Sequence, residues 1–294
     1  MSTSSQVREF PIGPFRESAT RWLEAAGRGQ QGDEASPAQA ATVMLVRGEP
    51  LEVFMIERAS TMDFAPSTWV FPGGRVDAAD AGAALLDGLD AEATARALGV
   101  DADAAVSIVV CALRELFEEA GVLLVDANVP TGPADDGAGE GAAAATDGAA
   151  ARPTDVELRT RLEAHEVTFV DVLAGRRLRA DLVAPVDRWI TPPFEKRRFD
   201  TWFFTALLPD GAVADAVSRE SQRGRWVRPQ EMLDEMAAGH VRLLPPTRTG
   251  LERLTRAASA CEALTQARTA TFEPTRPEPL MGPDGPYLRA RINL

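Results

Sequence analysis

The chain has 294 residues and a formal net charge of −13, with 31 lysines and arginines against 44 aspartates and glutamates. That length can bury a sizeable core, in one large domain or two small ones, and the acidic surplus argues against a surface that coats nucleic acid. Cys111 and Cys261 supply neither a disulfide framework nor zinc-ligand spacing, the first ten residues lack the apolar core of a secretion signal, and no apolar run approaches a membrane span, so the expected setting is a reducing cytoplasm.

Residues 1–38 are polar and punctuated by proline, and read as a loosely docked arm with one short helix over 17–26. The pattern changes at about 39. Residues 41–46 and 51–56 are apolar runs joined by Arg47-Gly48-Glu49-Pro50, the signature of a hairpin of largely buried strands. Asp90 is placed to cap a helix over 91–98 that Gly99 closes. Residues 126–152 are dominated by Ala, Gly and Asp without a periodic apolar face, which predicts a flexible loop. Thr154 with Glu157 forms a capping box for a helix reaching 164. Strands follow over 182–190 and 201–207, and Trp226-Val227 ends a last strand that enters a short helix. One longer helix over 247–268 and a proline-rich tail with a turn at Asp284-Gly285 complete the chain.

The most informative stretch is Arg114-Glu115-Leu116-Phe117-Glu118-Glu119-Ala120-Gly121-Val122. Val109, Leu113, Leu116, Phe117 and Ala120 make an apolar stripe at helical spacing, and Gly121 is placed as the C-terminal cap. Glu115, Glu118 and Glu119 share another, exposed face, where like charges repel by a few tenths of a kcal/mol per pair. That face is either simply solvated or gathers a hard divalent cation such as Mg²⁺ or Mn²⁺. Upstream, Phe71-Pro72-Gly73-Gly74-Arg75 runs from a strand-like pair into a turn where glycine permits close backbone approach.

Together the two segments resemble the Nudix hydrolase signature, G-x5-E-x7-R-E-U-x-E-E-x-G-U with U a bulky aliphatic residue. The second half matches without substitution. In the first half Asp80 stands where the pattern has Glu, and the gap from Asp80 to Arg114 is far longer than seven residues, so residues 81–105 form an insertion in the loop ahead of the helix. An insertion inside the box, with Trp189-Ile190-Thr191-Pro192 and Lys196-Arg197-Arg198-Phe199-Asp200-Thr201 outside it, is similar to the peroxisomal-type coenzyme A diphosphatase subgroup. The resemblance covers roughly residues 40–255. It implies an α/β/α sandwich with a mixed central sheet over 39–255, the insertion inside its box, and an extra C-terminal helix whose end and tail occupy 256–294.

The resemblance also implies the chemistry. Glu118, Glu119, Glu115 and the Gly74 carbonyl would hold Mg²⁺ or Mn²⁺, Glu115 or Glu118 would serve the attacking water, and Arg114 would hold a neighbouring glutamate. Cleavage would fall on a diphosphate linkage in a nucleoside diphosphate joined to another moiety, with bound divalent ions neutralising the phosphoryl oxygens. Arg58, Arg75, Arg197 and Arg198, with Lys196, are the candidate grips on substrate phosphates, and Glu220 is a candidate remote carboxylate. His165 and His240 belong to no catalytic constellation, and Cys111 reads as a small packed residue.

Coenzyme A diphosphatases carry a further pattern, L-L-T-x-R-(S/A)-x3-R-x3-G-x3-F-P-G-G. Here Arg58-Ala59 keeps its place, while Phe54-Met55-Ile56, Asp63 and Ser67 replace the first triplet, the second arginine and the glycine. Coenzyme A or acyl-coenzyme A therefore leads the candidates, ahead of nucleotide sugars, dinucleoside polyphosphates and oxidised nucleotides. The alternative is a non-catalytic sensor of nucleotide-derived ligands, against which all three box glutamates remain. The expected partner is a small phosphoanhydride, without nucleic acid or membrane. A lid and a homodimer contact are the two roles open to the insertion.

Overall fold

The computed structural model describes residues 5–30, 34–60, 66–81, 87–126, 154–173, 176–216 and 221–293. In chain order the elements are β1 (Ser5–Pro11), α1 (Arg16–Gly27), β2 (Ala38–Arg47), β3 (Glu52–Arg58), β4 (Trp69–Val70), β5 (Gly73–Arg75), α2 (Ala91–Leu98), α3 (Ala102–Ala120), α4 (Asp155–Glu163), α5 (Phe169–Leu173), β6 (Val183–Ile190), β7 (Phe199–Leu207), β8 (Ser221–Val227), α6 (Pro229–Ala237), α7 (Pro245–Leu254), α8 (Ala260–Arg268), β9 (Glu278–Gly282) and β10 (Gly285–Asn293).

A mixed seven-stranded sheet organises the molecule. β2 runs parallel to β7 along nine residue pairs and antiparallel to β3 and β5, while β6 closes antiparallel on β7. β3 diverges from β2 beyond Val53 and pairs instead with β8 and β4. Into the opening slips β5, whose Gly73, Gly74 and Arg75 pair with Thr42, Ala41 and Ala40. A Cβ at Gly73 would collide with the Ala41 carbonyl and the Thr42 backbone, so only glycine permits this approach.

The strands of β2 alternate between two cores. Ala41, Val43 and Leu45 face α2 to α5, and Met44 and Val46 face α6 to α8. This is the expected sandwich, helices on both faces of a mixed sheet. α3 is buried on most sides, from Ala105 to Ala120, and ends at Gly121 with φ 69°.

Several local expectations hold. The 41–56 hairpin, the Asp90-capped helix closed by Gly99, the Thr154 capping box and the strands over 183–190 and 199–207 are present. Others change. The box helix starts at Ala102, so the end of the proposed insertion is helix rather than loop, with the Asp101 side chain capping Ala104 N–H. The 1–38 arm is not loosely docked. β1 pairs along its whole length with β10, and Phe10 and Ile12 are buried. The long C-terminal helix is two, because Ser259 accepts from Glu262 N–H and starts α8 afresh. The tail is a hairpin, β9 to β10, that completes a second, three-stranded sheet with β1, so β8 is not the last strand. The flexible-loop expectation for 126–152 falls, apart from Asp126, outside the described residues.

Candidate active site

Arg114 is the hub of the box. Its Nε donates to Asp80 Oδ1 at 2.8 Å and its Nη2 to Asp80 Oδ2 at 3.0 Å. Nη1 reaches Glu115 Oε1 at 2.9 Å and Glu118 Oε2 at 2.8 Å, and Nη2 also donates to the Arg75 carbonyl at 3.1 Å. One guanidinium thus ties three carboxylates to the turn after β5, a fork geometry that lysine cannot supply. Burial pulls the Arg114 pKa down, but the Asp80 hydrogen bond and the charges of Glu115 and Asp80 outweigh it and hold it above its ordinary value.

The third glutamate takes a different partner. Glu119 is buried, and its Oε2 accepts the Gly73 N–H at 2.7 Å. Next to it, a Cβ at Gly74 would collide with the Glu115 carboxylate, so the second glycine leaves the space that this side chain occupies. The carboxylate face is therefore not exposed, as the helical spacing alone implied. The side chains of Glu115 and Glu118 are only 14% and 15% exposed, because the β5 turn and Arg114 cover them. Burial pushes the Glu118 carboxyl above its ordinary value, with Arg114 opposing.

Other expected residues separate by position. Arg75 is exposed in β5 beside the hub, while Arg58 is half-buried at the end of β3, where its backbone pairs with Ser67 and Thr68. Arg197 is exposed in the loop before β7. Arg198 is otherwise employed: its guanidinium donates to the Thr191 carbonyl at 3.1 Å, to Glu34 at 3.0 Å and to the Ala35 carbonyl at 2.9 Å, pinning two loops together. Those contacts give it a structural role beside the phosphate grip that the sequence proposed for it. Glu220 and Asp63 lie outside the described residues. His165 and His240 are exposed, and Cys111 is fully buried with Sγ 3.5 Å from the Gly74 carbonyl.

One contributor was read only as a departure from the pattern, and a second escaped the sequence reading. Asp80, a substitution in the box, is 1% exposed and doubles as the closing carboxylate of a capping box with Asp77; its shortness is offset because the Ala78–Asp80 turn brings it up to Arg114. Arg159 of α4 donates to the Glu118 carbonyl at 2.9 Å and pairs with Asp215, satisfying the end of the box helix. No local sequence signal links Arg159 to α3.

Among the described residues, no three acidic, histidine or cysteine side chains are gathered so that they could by themselves hold a metal ion. The donors nevertheless suit a hard divalent ion. Glu115, Glu118, Glu119 and the Gly74 carbonyl offer oxygen only, and the space left by Gly74 brings carboxylate and backbone together.

The family model for the NUDT19 Nudix domain matches residues 92–254, more than half of the chain. A Nudix relative from Caenorhabditis elegans is 30% identical over 215 residues, 73% of this chain and 59% of that protein. Acyl-coenzyme A diphosphatase NUDT19 of Gallus gallus is 28% identical over 251 residues, 71% of this chain and 65% of the relative. The chain thus spans 59% and 65% of the length of these curated relatives. The crystal structure of a Nudix hydrolase from Alicyclobacillus acidocaldarius shares the fold, with a TM-score of 0.56 at 24% identity over 82% of this chain and 99% of that one. With the box geometry and the family match together, the chain belongs to the Nudix hydrolase family.

Proposed function

We propose that the chain is a Mg²⁺- or Mn²⁺-dependent hydrolase that cleaves a diphosphate linkage in a nucleoside diphosphate joined to another moiety, with coenzyme A or acyl-coenzyme A as its substrate. One observation carries the reading: Arg114 gathers Asp80, Glu115 and Glu118 against the end of β5. A protein with no catalytic use for these acids has no reason to hold them so close together in a partly buried place, where each desolvated charge carries a cost.

Glu118 and Glu119 would hold the metal, with Glu115 and the Gly74 carbonyl as further ligands. When bound, the metal neutralises phosphoryl oxygens and lowers the pKa of water. The chain's own residues do the rest. Arg114 orients Glu115 and Glu118, and Gly73 N–H orients Glu119, so the carboxylates meet the substrate already positioned rather than reorganising on its arrival. Glu115 is the candidate acceptor for the proton of the attacking water. Exposed Arg75 and Arg197, and Arg58 at the end of β3, would meet phosphates that an acidic chain otherwise repels. The names of the NUDT19 relatives support coenzyme A derivatives as the substrate class, and the kept Arg58-Ala59 spacing before Phe71-Pro72-Gly73-Gly74 agrees. Two free cysteines suit a reducing compartment, and no helix among the described residues is long and apolar enough to cross a membrane.

The test is a mass-spectrometric screen with Mg²⁺ or Mn²⁺ of coenzyme A, acyl-coenzyme A, nucleotide sugars, dinucleoside polyphosphates and oxidised nucleotides. Release of adenosine 3′,5′-bisphosphate and a phosphopantetheine from the coenzyme A compounds is the expected result. Preferential cleavage of another class replaces the substrate assignment, and silence across the panel removes the hydrolase reading.

A further inference from the structure

We propose that the cleft between α1 and the loop ahead of β7 receives the amide-bearing arm of the substrate, with Glu195 accepting an amide N–H while Trp22 and Phe194 pack its apolar length. This rests on the reading of the chain as a diphosphatase for coenzyme A compounds, whose pantetheine arm carries two amide N–H groups on a flexible chain.

The cleft is about 380 Å³ and is lined by Trp22, Glu34, Pro193, Phe194, Glu195 and Lys196, with Ala35. Phe194 is buried and Trp22 half-buried, so the cleft has an apolar side beside its charged rim of Glu34 and Lys196. At the same cleft Glu195 Oε1 is buried with no hydrogen-bond donor among the described residues. A buried acceptor left unmade loses its hydration without return, and burial pushes this carboxyl above its ordinary value. A ligand that brings an N–H makes good that loss. A hydrocarbon cannot, and a second anion would meet Glu34 and Glu195. The matching ligand is uncharged along this stretch, apolar in bulk and equipped with donors.

Position agrees with chemistry. Ala40 of β2 pairs with Arg75 on one side and Thr201 on the other, and the cleft residues Ala35 and Lys196 lie in the loops three residues ahead of Ala38 and Phe199, where these two parallel strands begin side by side. Five residues separate Ala35 from Ala40, the partner of Arg75, and at no more than about 3.3–3.6 Å per residue they place the cleft within roughly 18 Å of the end of β5, within reach of an extended arm.

Lys196 is the one lysine of the chain, so its acetylation by an amine-reactive ester, followed by peptide mass spectrometry, reports on this cleft without reference to turnover. Pantetheine, which lacks the diphosphate, should slow Lys196 acetylation about tenfold at saturation, and Glu195→Leu should abolish that protection. The variant keeps bulk and removes only an unmade acceptor, so its melting temperature should not fall. In turnover it should lower kcat/KM for coenzyme A relative to a nucleotide sugar by about tenfold. Absent protection, or equal protection in Glu195→Leu, overturns the arm site even where coenzyme A is cleaved. Protection without cleavage of coenzyme A retains the arm site and overturns the reading of the reaction.

Discussion

Asp80 meets the Arg114 guanidinium with both carboxylate oxygens, 2.8 Å from Nε and 3.0 Å from Nη2, and is itself 1% exposed. The pair closes the box across the long segment that interrupts it in sequence. Removing one partner of a buried pair leaves the other uncompensated, at about 3–5 kcal/mol. Asp80→Ala should therefore lower unfolding free energy by about 3 kcal/mol in urea titrations and release Glu115 and Glu118 from their orientation. Wild-type stability in Asp80→Ala would mean that Arg114 is held without it.

The two box glycines should fail differently. A Cβ at Gly73 meets backbone of β2, whereas a Cβ at Gly74 meets the end of the Glu115 side chain. Gly73→Ala should destabilise the sheet and lower the melting temperature. Gly74→Ala should fold near normally but displace Glu115 and lose turnover. Comparing melting curves with rates for the two variants checks this division, and equal melting temperatures would contradict it.

Ser67 is a departure from the coenzyme A pattern that the backbone does not favour. It has φ 51°, a left-handed backbone that favours glycine, at the position where that pattern has Gly. A non-glycine residue there costs roughly 1–2 kcal/mol, so Ser67→Gly should stabilise the protein by about 1 kcal/mol, less what glycine's greater unfolded-state entropy takes back. Chemical denaturation gives the sign directly.

Glu118 sets a pH dependence. Burial raises its carboxyl above the ordinary 4.5, so the metal-free fold binds a proton that the unfolded chain has released. Its stability contribution is complete below 4.5 and is lost as pH rises through the folded value. Metal takes the ionised form and releases that proton, so the stabilisation by Mn²⁺ should grow over the same interval. Burial also raises Asp187 and Glu195, and the Glu118→Gln variant separates Glu118 from both. Melts with and without Mn²⁺ in both proteins should show the growth only in the wild type.

How much of this was legible in sequence depended on whether the determining contact was local. The α3 stripe and its Gly121 cap are short-range patterns and appear as read, whereas the expected Gly73-Gly74 turn is the short strand β5, drawn straight by its pairing with β2. The break before α8 had a local signal, Ser259 three residues ahead of Glu262, hidden by apolar spacing that continues across it. The alternation of Leu288, Ala290 and Ile292 marked β10, but its partner β1 lies at the other end of the chain. Arg198 and Arg159 look like any exposed arginines in sequence. Only the fold brings Thr191, Glu34 and Ala35 to the first and the end of α3 to the second.

The central claim is that Glu118 and Glu119 hold the divalent ion on which cleavage depends. The direct measurement is Mn²⁺ binding by electron paramagnetic resonance alongside coenzyme A cleavage, in the wild type, Glu118→Gln and Glu119→Gln. The account predicts that both variants fold, bind Mn²⁺ more weakly and lose about two orders of magnitude or more in kcat. Wild-type Mn²⁺ affinity and turnover in both variants would contradict it.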